Sequence, residues 1–265
     1  MNYQWYPGHM TKAKRMMEEN IKLIDLVIEI VDARIPISSR NPDIDSLAVN
    51  NARIILLNKS DLADDKITNQ WINYFNENNI YCLKLNSRNN SGIKQVNGLI
   101  MTACADKIER NKQRGILNRP IRAMVVGIPN VGKSTFINSY AGKASAKTGN
   151  KPGVTKGKQW IKLNKNVELL DTPGILWPKF DNQEVGKRLA MIGSMNDEIL
   201  NVEELAIDTR KYIYSEYSDN VIERYGLDKE KTAASYDENA INPDNSVALY
   251  IMEQAAVKRG CIKKG

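Results

Sequence analysis

This chain of 265 residues has one histidine, three cysteines and three phenylalanines. Cys82, Cys104 and Cys261 lie far apart and form no C-x-x-C pair, which argues against a thiolate zinc site and against a disulfide framework. All three read as packing residues in a reducing cytoplasm. Long apolar runs are also missing: the one around Leu26-Val-Ile is interrupted by Glu29, and the opening Tyr3, Gln4 and Trp5 do not resemble a signal peptide. No membrane span or membrane partner is expected. With 42% hydrophobic and 26% charged residues, the chain reads as globular, with one sizeable core and a smaller second unit.

The net charge of +7 is unevenly distributed. Residues 1–178 carry 26 Lys and Arg against 15 Asp and Glu, whereas residues 179–265 carry 12 against 16. A basic surface on the first part favours a polyanion through counterion release, with RNA the expected partner and no DNA expected; simple solubility charge is the alternative.

Apolar runs at Leu26–Val31, Arg53–Leu57, Ile80–Leu85, Ile121–Val126 and Val167–Leu170 read as strands. Helical periodicity falls between them, at about 10–22, 62–78, 92–112 and 132–141. Alternating strands and helices predict an α/β domain with a mostly parallel, doubly wound sheet over residues 1–178. Beyond Pro178 only helices are expected, near 182–194, 202–224 and 244–259, giving an all-helical domain over 179–265.

Each chemical motif follows a strand. Gly127-Ile-Pro-Asn-Val-Gly-Lys133-Ser134 fits the phosphate-binding pattern G-x-x-x-x-G-K-[ST]. Backbone N–H groups through Asn130, Val131, Gly132, Lys133, Ser134 and Thr135 would cradle phosphates at a helix N-terminus. Lys133 supplies a point charge there, and the Ser134 hydroxyl a Mg²⁺ ligand. Asp171-Thr-Pro-Gly174 would hold the metal through Asp171 and sense the terminal phosphate through the Gly174 N–H. Thr155 is the best-placed residue to complete the metal shell, with Thr148 a weaker choice.

Asn58-Lys59-Ser60-Asp61 would select the base. The Asp61 carboxylate can accept from the ring N–H and exocyclic amine of guanine, a donor pair that adenine lacks. Asn58 and the Lys59 stem would brace the base, and the Ser87 region would close over its carbonyl. GTP and GDP are therefore the expected nucleotides. The base motif precedes the phosphate loop in the chain, but in a parallel sheet loops after separate strands meet at one edge whatever their order.

These residues, together with Trp5-Tyr-Pro-Gly-His9-Met10, Asp32-Ala-Arg34 with Pro36, and Pro152-Gly-Val-Thr155, resemble the circularly permuted GTPases of ribosome assembly, closely over residues 1–178 and loosely beyond. The resemblance implies a factor that hydrolyses GTP on ribosomal RNA of the large subunit, with a helical domain that also contacts RNA. A monomer is expected. Ile175 stands where many GTPases use Gln to orient water, so another group must serve. His9 belongs to the segment that resembles the family's catalytic one, and packing or RNA contact is its competing role. Asn130 resembles the Asn that helps hold K⁺ beside the phosphates in cation-dependent GTPases.

Asp32-Ala-Arg34 reads equally as a structural ion pair tying loops together or as a contact to nucleotide or RNA. Lys143, Lys147, Lys151, Lys156 and Lys158 around Thr155 read as solvated or as phosphate contacts, and Trp160, Trp177 and the tyrosines as core. Two rivals stand beside the GTPase reading. One is an RNA-binding scaffold whose nucleotide site does little catalysis. The other is a P-loop kinase, which lacks acceptor-binding residues and would leave Asp61 idle.

Overall fold

Strand β1 (Leu26–Asp32) is buried along its whole length because it lies inside a six-stranded sheet, between β2 (Ala52–Asn58) and β4 (Ile121–Val126). Burial on both faces is why these strands read as continuous apolar runs. The computed structural model describes residues 8–142, 159–163, 166–172, 182–195 and 200–262. Strand β3 (Tyr81–Lys84) flanks β2, and on the other side β6 (Val167–Asp171) flanks β4. All these neighbours pair parallel.

A sixth strand, β5 (Gln159–Lys162), pairs antiparallel with β6 at the sheet edge. It has no counterpart among the strands expected from sequence. Four residues with two apolar side chains leave almost no periodicity to read, and at an edge they need none.

The sheet order is β3-β2-β1-β4-β6-β5. Connections run outward from β1 toward β3 and, on the other side, outward from β4. The reversal between β1 and β4 is a topological switch point, where the loops beyond adjacent strands diverge and leave a crevice at the carboxyl edge.

Helices α1 (Gly8–Asn20), α2 (Asp43–Leu47), α3 (Asp65–Glu77), α4 (Ile93–Ala103), α5 (Ala105–Gln113), α6 (Lys133–Ala141) and α7 (Gln183–Met191) complete this part. The helix expected over 92–112 is two, because Cys104 leaves helical geometry at φ −103°, ψ 9°. Short α2 has too few turns for a periodic signal.

The chain divides into two compact units, residues 2–196 and 197–265. Helix α7 therefore belongs with the sheet, although the sequence reading set the boundary near 178. The second unit contains α8 (Val202–Glu216), α9 (Ser218–Tyr225), α10 (Lys229–Ala234) and α11 (Ser246–Lys258). Tyr217, at φ −138° and ψ 46°, splits the single helix expected over 202–224, and α10 was not expected at all. Helix α11 packs on α8, α9 and α10 through a small buried set that includes Ala248, Ile251, Ala255 and Val221.

Cys82 and Cys104 are buried, as expected of packing residues, and burial raises their thiols to about 12 and about 11 respectively. Cys261 is exposed, which corrects the sequence reading. Trp160 is 40% exposed, with the Arg122 guanidinium 5.6 Å from its ring, and Tyr74, Tyr81, Tyr212, Tyr217 and Tyr236 are also exposed. Trp160 and Tyr81 lie on edge strands, Tyr74 and Tyr212 on helices with one wet face, and Tyr217 and Tyr236 outside both, so none of them is core. Trp177 is outside the described residues.

Candidate functional site

The carboxyl ends of β1, β2, β3 and β4 deliver Asp32, Asn58, Ser87 and Gly127 to one edge, and a dense set of hydrogen bonds links them. Register places Asp32 beside Asn58. The Asn58 side chain is 2% exposed and uses both ends of its amide. Its Nδ2 donates to the Val131 carbonyl in the phosphate loop at 2.8 Å, and its Oδ1 accepts from Ser87 N at 3.1 Å and Ser87 Oγ at 2.9 Å. Asn58 thus ties the loops after β2, β3 and β4 together, a firmer role than bracing a base.

Lys59 repeats the link from the next position. Held in the left-handed region at φ 59°, it sends Nζ to the Asn130 carbonyl at 2.8 Å and to Asp32 Oδ2 at 3.0 Å. Asp32 is fully buried and takes Arg34 in a two-point grip, Nε at 2.8 Å and Nη2 at 2.7 Å. Burial alone would raise its carboxyl, but hydrogen bonds and charge from Arg34 and Lys59 outweigh burial and hold it below the ordinary 3.8. The ion pair expected from Asp32-Ala-Arg34 is present, and Lys59 makes it part of the crevice. Asp61 follows in a 3-10 turn with its residue exposed, close enough for its charge to help raise Arg34.

The phosphate loop bends through positive φ at Gly127 (153°), Asn130 (58°) and Gly132 (100°). A Cβ on Gly127 would sit 2.5 Å from the Ile30 carbonyl, and one on Gly132 would collide with Asn58 Nδ2. Glycine at both positions is what lets β1 and β2 approach the loop. Lys133 Nζ, buried, donates to Gly127 O at 3.1 Å and Ile128 O at 2.9 Å, across the mouth of the same loop. Helix α6 starts here, with Ser134 and Thr135 half-buried in its first turn. Its N-terminal N–H groups and dipole suit an anion.

Three partners escaped the sequence reading. Ser139 on α6 donates to Ser87 O at 2.5 Å, and Thr172, just past β6, donates to Val125 O at 2.7 Å. Asn130 Nδ2 donates to Gly193 O at 2.7 Å, joining the phosphate loop to the end of α7. Asn130 and Thr172 belong to motifs, but no motif announces these bonds, which depend on which helices fold against which strands.

His9 lies in α1 and Asp171 at the end of β6, both with side chains outside the described set. Strand pairing sets Asp171 opposite Val125, one residue before the end of β4. Thr148, Thr155, Gly174, Ile175 and the lysines at 143, 147, 151, 156 and 158 lie outside the described residues.

Strand β1 carries a second buried ionic cluster, away from this edge. Glu29 Oε2 accepts from Arg40 Nε at 3.1 Å and Arg53 Nη2 at 3.3 Å, and both arginines also reach Asp45 Oδ1, at 2.6 and 2.7 Å. Glu29 Oε1 and Arg53 Nε are buried with no hydrogen-bond partner. Burial raises the Glu29 carboxyl above 4.5 despite Arg40 and Arg53.

Among the described residues no group of three or more His, Cys, Asp or Glu could enclose a metal ion, and no helix is long and apolar enough to cross a membrane. A divalent ion here would need oxygen ligands from a bound phosphate beside one or two side chains, the habit of Mg²⁺. Ser134 at the start of α6 carries an oxygen donor of that kind.

Comparison with known proteins agrees with this geometry. A family model described as 50S ribosome-binding GTPase matches residues 122–236, a span that opens within β4 and leaves out Asn58 to Asp61. The chain is 46% identical over 266 residues to ribosome biogenesis GTPase A of Priestia megaterium, covering 100% of this chain and 88% of that protein. It is 46% identical over 265 residues to the same-named protein of Bacillus cereus, covering 100% and 85%. Among solved structures, GNP-bound YlqF from T. maritima superposes with a TM-score of 0.56 at 26% identity, over 94% of this chain and 95% of that one.

Proposed function

This chain belongs to the ribosome biogenesis GTPase A family, and on that premise we propose that it is an assembly factor of the large ribosomal subunit whose turnover the ribosomal particle stimulates. It is a circularly permuted GTPase that binds GTP and hydrolyses it to GDP and phosphate. The observation that carries the site assignment is the 2.8 Å bond from Asn58 to the Val131 carbonyl, which joins the base-reading motif to the phosphate loop. Asp61 reads guanine from the turn beyond. Asn58, Lys59 and Ser87 fix the base side of the crevice, and the stretch Asn130 to Thr135 holds the phosphates.

Ser134, Thr155 and Asp171 would hold Mg²⁺, which would supply positive charge to the outer phosphates. Asn130 donates its amide nitrogen to Gly193 O, so its amide oxygen would be the atom to hold K⁺, which would supply positive charge beside the phosphates. Gly174 senses the terminal phosphate. Ile175 cannot orient water, and His9, on α1, is the group assigned that task. Ribosomal RNA is the partner in the cytoplasm, met by a monomer, and the nucleotide state sets the affinity for it.

The test is GTP turnover in K⁺ against Na⁺, with and without purified large subunits. A rise of about tenfold or more with subunits, larger in K⁺, is expected for an effect near 1.4 kcal/mol on the barrier. Equal turnover in all four conditions refutes stimulation and the K⁺ site together. If His9→Ala keeps the stimulated rate, His9 has no part in the chemistry.

A further inference from the structure

Residues 197–265 are acidic, with 14 Asp and Glu against 9 Lys and Arg, yet part of their positive charge is gathered away from those carboxylates. Arg210 of α8, Arg224 and Tyr225 at the end of α9, and Lys258 and Arg259 at the end of α11 meet around one tyrosine. The Arg210 guanidinium lies 4.7 Å and that of Arg259 5.8 Å from the Tyr225 ring centroid. Arg210 Nη2 donates to the Tyr225 hydroxyl at 3.3 Å. Lys258 Nζ lies against Gly226, so close that a Cβ there would collide with it.

None of these four cations forms an ion pair with a carboxylate among the described residues, although nearby Lys229 pairs with Asp219 at 2.8 Å. Arg210 Nε is buried with no hydrogen-bond partner. Arg224, Lys258 and Arg259 are exposed.

Collecting like charges costs free energy, on the order of 1 kcal/mol per close pair even in water. A tyrosine face returns roughly 0.5–1 kcal/mol for each guanidinium over it without neutralising either. The ring therefore holds the arginines together and leaves their charge available. Carboxylates are plentiful in this unit and are not used here, so the cluster keeps its positive charge for an external anion.

We propose that Arg210, Arg224, Lys258 and Arg259, assembled on Tyr225, form a docking surface for the phosphate backbone of RNA. Planar guanidinium forks match phosphate oxygens in pairs. The rest of this unit, with 14 Asp and Glu against five Lys, disfavours a polyanion on balance, which favours contact at the end of α9 and α11. This rests on the reading of ribosomal RNA as the partner, and it names the residues of the helical unit that would do the holding.

The probes are a fluorescent ribosomal RNA hairpin and purified large subunits, titrated at several salt concentrations with the full-length protein. Reversing Arg224→Glu with Arg259→Glu is expected to weaken hairpin binding about tenfold or more. The slope of log K against log salt should flatten by roughly 2, about 0.9 per lost phosphate contact. Basal GTP turnover and the melting temperature should stay as they are. Because charge reversal can disturb packing, the neutral pair Arg224→Gln with Arg259→Gln is run beside it and should move the slope the same way.

Unchanged affinity and slope in both variants, while wild type binds subunits, overturn this surface and leave the ribosomal reading standing. Wild type that binds neither hairpin nor subunit overturns both. Lost affinity at an unchanged salt slope, or equal capture by polyglutamate, also refutes a phosphate contact.

Discussion

Glu29 and Asp32 are both buried on β1, 1% and 0% exposed, and they point to opposite faces of the sheet. Their surroundings differ in kind. Asp32 sits at the strand end, gripped by Arg34 and by a Lys59 that also holds the phosphate loop. Glu29 sits mid-strand with one oxygen satisfied by two arginines and the other by nothing. One carboxyl is held below its ordinary value and the other above. Burial pushes both carboxyls up, and whether the hydrogen bonds and charges that reach the group outweigh it decides the direction. The comparison also separates roles: the complete network positions a ligand site, and the incomplete one fastens Arg40, Arg53 and Asp45 to the sheet.

The largest expected effect lies at the strand-end site. Lys133→Ala removes the buried ammonium, and GTP affinity should fall about a hundredfold, close to 2.7 kcal/mol, with thermal unfolding little changed. A variant that melts much earlier but still binds would put Lys133 on the structural side. Glu29→Ala should do the reverse. Leaving Arg40 and Arg53 with only Asp45 should cost about 3 kcal/mol of stability in chemical denaturation, with GDP affinity unaltered in the folded fraction. Loss of GDP affinity there would merge the two networks into one.

Asn58→Ala tests the join itself. It leaves the Val131 carbonyl and the Ser87 N–H without a buried partner, so about 2 kcal/mol should be lost from stability and from GDP binding alike. Calorimetry and nucleotide titration on the same sample would show whether both move.

A smaller effect follows from the raised Glu29 carboxyl. The folded state keeps the proton above pH 4.5, so wild-type stability from this group falls as pH rises through its folded value. Asp32 acts oppositely: its contribution is full above 3.8 and is lost as pH falls through its lowered folded value. Glu29→Gln cannot ionise. Its deficit against wild type should be largest near pH 4 and shrink as pH rises, and a deficit that grows with pH would contradict the raised value.

Much of this was legible before the fold was known. Five strands showed as mainly apolar runs, most plainly β1, β2 and β4, which are buried among neighbours, and the motifs after β1, β2, β3 and β4 announced the shared edge. Strand β5 was invisible, since its pairing with β6 comes from the partner and not from its own four residues. Backbone breaks at Cys104 and Tyr217 were equally silent, because apolar periodicity continues through them. At the site, Asn58 was legible as a base-side residue, but its grip on Val131 and Ser87 was not. Nor was Asn130 to Gly193, because bonds between distant segments exist only once topology has brought them together.

The finest test asks whether Asp32 serves the site or merely sits near it. If it acts by aiming Lys59 at the Asn130 carbonyl, Asp32→Asn keeps a hydrogen-bond acceptor but loses the charge, and GDP binding should weaken about fivefold, near 1 kcal/mol. Lys59→Met removes the group being aimed. Combined, the two substitutions should weaken binding no further than Lys59→Met alone, since a residue that acts through another has nothing left to position. Four GDP titrations close this cycle. Additive losses would make Asp32 an independent contributor, and the contrast with Glu29 would then rest on geometry without a shared role for Asp32 and Lys59.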